Sequence, residues 1–316
     1  MAGFEYLLSR YWIIEVACRR FARIFSSNQK VKFFLKKIMT KILKKHNQNN
    51  FSVIPGLAEG VFTYISSLGI KKGDILIVHS SMDGLARLGI PPNKIIDLLL
   101  DMVGSEGTLV FPAFPIINKR MSNTIQIYNP KSTVSWTGML PNIFCRYNGV
   151  IRSPFPYNSL AAKGFHAENM MKNNLLTDLP HGKNSAWEYC INHNAKILYL
   201  GIHAESAFTI VHAVEDLMDE EWPVNNWYKY ANYKVKLSNE LYNVTIRHVN
   251  TSHWFQFVRK YYALYVLQKN GFVIKNNIQG IPIDYIPESL DLVNYLMNNA
   301  KSGNIVYYAI PKKYLK

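Results

Sequence analysis

The chain has 316 residues, 48% of them apolar and 18% charged, a composition that supports a sizeable buried core and excludes a disordered or low-complexity protein. Its 36 basic residues against 21 acidic ones leave a formal charge of +15, and three widely spaced cysteines, Cys18, Cys145 and Cys190, exclude a disulfide framework and a thiolate zinc knuckle. No stretch approaches the roughly 18 consecutive apolar residues of a membrane span, and the start lacks the basic segment of a secretory signal, so a cytoplasmic protein is expected.

Charge is concentrated at the beginning of the chain. Residues 1–46 hold eleven Lys or Arg against Glu5 and Glu15. Within KVKFFLKKIMTKILKK, the residues Val31, Phe34, Leu35, Ile38 and Ile42 recur at helical spacing among lysines. Such a basic amphipathic helix either rests peripherally on an anionic membrane or partner, or packs on its own domain with the lysines solvated. Nucleic acid is not expected, because no binding motif accompanies the charge; a homodimer is admitted. Residues 1–50 therefore read as a basic helical arm and residues 51–316 as the main domain, entered through the polar break HNQNNFSVIPG.

In that domain KKGDILIVHSS (71–81) predicts a strand covered on both faces, and PPNKIIDLLLDMVG (91–104) a helix with prolines at its start and Gly104 past its end. GTLVFPAF (107–114) and AKILYLGI (195–202) predict two further buried strands; TGMLPNIFCRYNG, SAWEYCINHN and FTIVHAVED predict helices. After residue 223 the alternation in NNWYKYANYKVKLSNELYNVTIRHVN predicts antiparallel strands, followed by helices near 253–269 and 288–300 and a last strand at NIVYYAI (304–310). The expectation is an α/β fold with a mostly parallel central sheet flanked by helices and an antiparallel C-terminal part.

The sequence contains no GxGxxG after the first strand, no GxxxxGK[ST], no GxSxG and no HExxH, which weighs against nicotinamide dehydrogenases, P-loop enzymes, α/β-hydrolases and zincins. Two candidates remain. His79-Ser80-Ser81 closes the first strand, where open α/β sheets bind ligands and where hydroxyl and backbone N–H groups can receive a phosphate or an oxyanion. His212 precedes Glu215 by three residues, so both share a helix face. By themselves the two fit a catalytic base with its orienting acid, half of a metal site, or a solvated turn. A metal would need further ligands, and His203 lies at no recognised ligand spacing; no metal is expected.

Taken in order, GDILIVHSSM, VGSEGTLVFPAF, YNPKSTVSWTGMLPNIF, GVIRSPFPYNSLAAKG, GKNSAWE, KILYLGI and FTIVHAVED resemble the aminoglycoside 3-N-acetyltransferase (antibiotic N-acetyltransferase) family from about Phe51 to about Pro223. The resemblance implies transfer of an acyl group, acetyl or another, from coenzyme A to an amine. It implies His212 as the base, Glu215 as its partner and Ser80 as an oxyanion donor. It further puts His79, Ser80 and Ser81 beside the coenzyme, and Phe114, Phe155, Asn158 and Ser159 are expected to face the acceptor; by charge, Arg152 is a candidate for the coenzyme's phosphates and Asp216, among the local acids, for a substrate ammonium.

The chain departs from the family after Arg152-Ser153, where Phe155-Pro156 stands in place of His-Pro or Asn-Pro, and at Pro112-Ala113-Phe114-Pro115 in place of Pro-Thr-Phe-Thr. Together with the positive charge, which repels polycations and attracts anions, these departures lead to a specific expectation. The acceptor is expected to be a nucleotide-linked amino sugar of surface glycan biosynthesis, as for the anthrose-pathway N-acyltransferase. True aminoglycoside acetylation is the alternative, and a catalytically silent binding homologue the alternative of another class.

Overall fold

Strict alternation along the apolar strands sets up the layers of this molecule. The computed structural model describes residues 7–26, 52–116 and 126–316. In chain order it contains α1 (Trp12–Ser26), α2 (Leu57–Ser67), β1 (Ile75–Ser80), the short α3 (Met82–Leu85), α4 (Pro92–Val103), β2 (Thr108–Pro112), β3 (Gln126–Tyr128) and α5 (Met139–Phe144). There follow β4 (Ile151–Arg152), β5 (Leu160–Gly164), α6 (Ala167–Met171), α7 (Ala186–Asn192), β6 (Lys196–Leu200), α8 (His212–Met218) and the long strands β7 (Tyr228–Leu237) and β8 (Glu240–Val249). The chain ends with α9 (Thr251–Trp254), α10 (Lys260–Lys269), β9 (Ile274–Ile278), β10 (Ile281–Ile286) and α11 (Ser289–Lys301).

The main sheet has the order β4-β5-β2-β1-β6-β10-β9. Its centre is parallel, β2 and β6 both running with β1, and its outer pairs are antiparallel. Successive residues of β1 serve opposite cores. Ile75 and Ile77 join the cluster containing α7, α8, α10 and α11, whereas Leu76 and Val78 join that of α2, α4 and α5. Leu76, Ile77 and Val78 are all fully buried, and each such side chain contributes about 1.5–3 kcal/mol relative to exposure. Hence the uninterrupted apolar run. α4 begins with Pro92 after Pro91 and ends at Gly104, whose φ of 69° a side chain rarely adopts.

β7 and β8 form the antiparallel C-terminal part, with β3 added alongside β7. The strand expected at 304–310 does not form. That segment makes a single bridge, Tyr308 to Val258, and its residues Ile305, Val306 and Tyr308, two of them adjacent, are buried with α8 and α11 as a packed coil. The last strands are β9 and β10, joined by Gln279-Gly280, both at positive φ, as a two-residue hairpin turn requires.

The described part of the basic N-terminal stretch is docked rather than detached. Leu8 and Val16 on it are buried. Glu15 accepts hydrogen bonds from the N–H groups of Lys260 and Tyr261 at the start of α10, at 3.2 and 3.1 Å, while the Arg259 guanidinium lies over the Trp12 ring. The lysine-rich segment at 30–45 is outside the described residues. No described helix is long and apolar enough to cross a membrane.

Candidate active site

The carboxyl ends of β1, β2 and β6 open into a cleft of about 580 Å³, within the range of small-molecule sites and at the edge of the sheet where α/β proteins bind ligands. Its walls come from distant parts of the chain: His79 and Ser80 from β1, Phe114 beyond β2, Trp136 and Thr137, the stretch Glu205–Thr209, His212, and Phe255 and Lys260 near the start of α10. Two glycines let the β1 and β6 ends approach. A Cβ at Gly84 would lie 1.8 Å from the Gly201 carbonyl oxygen, and Gly201, at φ 73°, faces the Ser81 carbonyl. This backbone contact fixes the position from which the loop after β6 runs to His212.

His212 opens α8 after a single 3-10 turn at Thr209–Val211. Its Nδ1 lies 2.5 Å from Glu215 Oε1; 28% of the His212 side chain but only 1% of the Glu215 side chain is exposed. The spacing of three turns both residues to one side of the helix, as anticipated. With Nδ1–H donating to Glu215, the neutral imidazole keeps its lone pair on Nε2. Burial opposes the imidazolium, but the carboxylates of Glu215 and Asp216 outweigh it and raise the His212 pKa above its usual value. Burial pushes the Glu215 carboxyl up to about 7 against the pull of His212. Both shifts are upward, the His212 one driven by its carboxylate neighbours, which strengthens the imidazole as a general base.

Asp216, expected to meet a substrate ammonium, does not reach the cleft. It is 2% exposed and accepts from the His181 N–H at 3.0 Å, His181 Nδ1 at 2.8 Å and the Tyr228 hydroxyl at 3.0 Å. Burial and those three donors hold its carboxylate outside the cleft. The His181 ring lies 5.9 Å from that of His212, and burial lowers its pKa in spite of Asp216. Asn158 is beside it, its side-chain amide nitrogen 3.4 Å from His181 Nε2 and its backbone carbonyl accepting from the Trp187 indole N–H. Asn158 thus supports the layer behind the base instead of facing an acceptor.

The other expected residues separate into two groups. His79, Ser80 and Phe114 line the cleft. His79 stacks on Tyr199 at 4.9 Å, and burial holds its pKa down at about 3, so it offers a phosphate no charge. Ser81 is absent from the lining: its hydroxyl caps Gly84 N–H and its own N–H is bonded to Leu200. Arg152 is 8% exposed, with its guanidinium donating to the carbonyls of Ala113 and Thr133 and lying over Tyr128. It is a structural tie and is not available to coenzyme A. Ser159 is buried with its hydroxyl on the same Ala113 carbonyl. Phe155 packs with Tyr233 and Ile246 beneath the β7–β8 hairpin, far from an acceptor-side role.

Sequence reasoning missed Arg19, Phe255, Lys260 and His181, which are tens to hundreds of residues from His212 and carry no local signature. Ligand atoms of His203, Glu205 and Asp284 lie within 4.8 Å of one another. The Lys275 ammonium already pairs with Glu205 and approaches Asp284 Oδ2 at 4.0 Å, so this cluster has its own cation.

Residues 77–283 match the family model described as aminoglycoside 3-N-acetyltransferase. Aminoglycoside N(3)-acetyltransferase IX of Micromonospora chalcea is 30% identical over 170 residues, covering 49% of this chain and 60% of that protein. Aminoglycoside N(3)-acetyltransferase VII of Streptomyces paromomycinus is 29% identical over 170 residues, covering 49% and 58%. The matched stretch thus spans less than two thirds of either relative. Among solved structures, AAC-IIIb with CoASH superposes at a TM-score of 0.65 with 19% identity, covering 80% of this chain and 98% of that one. Sisomicin-bound AAC-VIa superposes at 0.65 with 14% identity, covering 78% and 98%. These matches overturn the expected nucleotide-linked amino sugar in favour of the aminoglycoside alternative. The burial of Phe155, one of the departures behind that expectation, removes part of its physical basis as well.

Proposed function

The chain belongs to the aminoglycoside 3-N-acetyltransferase family, and from that premise we propose that it transfers an acetyl group from acetyl-coenzyme A to an amine of an aminoglycoside. The observation that carries this reading is the His212–Glu215 couple at the cleft wall, 2.5 Å apart, its carboxylate buried and its imidazole open to the cleft. His212 Nε2 takes a proton from the attacking amine as the C–N bond forms. The C–S bond of the thioester then breaks, and the proton passes on to the departing sulfur, so that amide and free thiol leave a regenerated imidazole. Glu215 fixes the tautomer and stabilises the imidazolium between the two transfers. Ser80 lines the same cleft, which supports it as the donor to the developing oxyanion, an interaction made only in the transition state. Phe114 supplies an apolar wall.

The test is release of free thiol from acetyl-coenzyme A by the purified chain, with and without an aminoglycoside. Aminoglycoside-dependent release that is lost in His212→Ala supports the proposal. Release that does not depend on an aminoglycoside, or that survives the substitution, counts against it.

A further inference from the structure

Helix α1 lies outside the family match at 77–283, yet its Arg19 lines the same cleft as His212. The guanidinium donates through Nε and Nη2 to Glu15 Oε1, at 3.2 and 2.9 Å. Glu15 is itself 3% exposed and anchored by the first two N–H groups of α10. Arg19 is therefore held in place through the fold of two helices that are far apart in sequence. One face of its guanidinium lies 4.7 Å above the centroid of the Phe255 ring, and Phe255 is 56% exposed while lining the cleft. Lys260 lines it too, its ammonium donating to the Glu205 carbonyl oxygen at 2.9 Å. One wall of the cleft thus brings together two cations and an exposed aromatic ring, and the carboxylate beside them, Glu205, is matched by Lys275.

We propose that Arg19, Phe255 and Lys260 form the subsite for the phosphate-bearing adenosine end of coenzyme A, so that α1 completes the donor site. The assignment rests on the coenzyme A reading above. An arginine presents five N–H donors whose forks match phosphate oxygens, and Glu15 engages two of them. A purine stacks on an aromatic face whatever its substituents, and a guanidinium on that face adds to the attraction. With its nucleotide there, the donor would extend its thioester arm along the cleft toward Ser80 and His212.

The experiment is calorimetric titration of the full chain with coenzyme A, 3′-dephospho-coenzyme A and pantetheine, repeated on Arg19→Ala, Arg19→Lys and Phe255→Ala, each checked by thermal melting. Wild type should bind coenzyme A far more tightly than pantetheine. Arg19→Ala should weaken coenzyme A by about 10- to 100-fold, the range for a lost charged hydrogen bond, while pantetheine changes less than about 3-fold. Arg19→Lys, which retains the charge and a donor to Glu15, should fall between, and Phe255→Ala should weaken all nucleotide-bearing forms. Equal losses for coenzyme A and pantetheine, unchanged binding in every variant, or a change confined to the acceptor KM would each overturn the subsite. A wild type that binds no coenzyme A would overturn the acetyl-transfer reading and this subsite with it, whereas a binding wild type with indifferent variants overturns the subsite alone.

Discussion

Replacing Glu215 by Gln isolates what its charge does for His212. A glutamine amide oxygen can still accept the Nδ1–H that Glu215 Oε1 now receives at 2.5 Å, so the tautomer survives while the charge goes. A hydrogen bond to a charged group contributes about 1.5–3 kcal/mol against about 0.5–1.5 kcal/mol for a neutral one. The difference, about 1–1.5 kcal/mol, lowers kcat about 5- to 12-fold at the optimum. The pH profile carries the sharper signature. The active form is the neutral imidazole, so activity falls as pH drops through the His212 pKa, which Glu215 helps to raise. With the charge removed, burial is less opposed, and the acid limb of kcat/KM moves to lower pH. His212→Ala, removing the base itself, should cost on the order of 10²–10⁴. The two residues act as a unit, so the double variant should be no slower than His212→Ala alone. Steady-state kinetics across the pH range measure all three. An acid limb that stays put or moves to higher pH in Glu215→Gln, or losses that simply multiply in the double variant, would refute the coupling.

Three further outcomes follow from the same contacts. Arg152→Ala removes the donors that hold the Ala113 and Thr133 carbonyls, so the melting temperature should fall while coenzyme A affinity holds; a selective loss of affinity at unchanged stability would return Arg152 to the donor site. Gly84→Ala forces a Cβ to within 1.8 Å of the Gly201 carbonyl oxygen and should destabilise by about 3 kcal/mol or more, seen as a large drop in the denaturation midpoint; a near-normal midpoint would show that the β1 and β6 ends can part. Treatment with EDTA should leave activity intact, because Lys275 already neutralises the Glu205–Asp284 cluster. Loss on chelation with recovery on adding a divalent ion would reverse that.

What the sequence disclosed was whatever depends on neighbours along the chain. The strands 75–80, 108–112 and 196–200 were legible because a strand covered on both faces must be apolar throughout, and the His212–Glu215 geometry because a helix places residues three apart on one side. The failures share the opposite cause. Asp216 has the same local context as Glu215, and only the fold, by bringing His181 and Tyr228 to it, converts it from an apparent ligand into a buried acceptor. Arg152 and Phe155 look like site residues beside a family motif until the Ala113 carbonyl and the underside of the β7–β8 hairpin claim them. NIVYYAI has β propensity, but Ile305, Val306 and Tyr308 pack into the core beside α8 and α11 and only Tyr308 bridges Val258, so tertiary packing decides against a strand. The basic arm was read from its charge and the helical spacing of apolar residues 31–42, and neither says anything of Glu15, whose two bonds to the start of α10 dock its first helix.

The central claim, that the His212–Glu215 couple drives acetyl transfer from coenzyme A to an aminoglycoside, is tested most directly by the product itself. The purified chain is incubated with acetyl-coenzyme A and an aminoglycoside, and the product is identified by mass spectrometry and NMR beside a parallel His212→Ala reaction. The account predicts a monoacetylated aminoglycoside, carrying its new amide on the 3-amine, from wild type and almost none from the variant. An unmodified aminoglycoside in the wild-type reaction, or the same product formed at the same rate by His212→Ala, would contradict it.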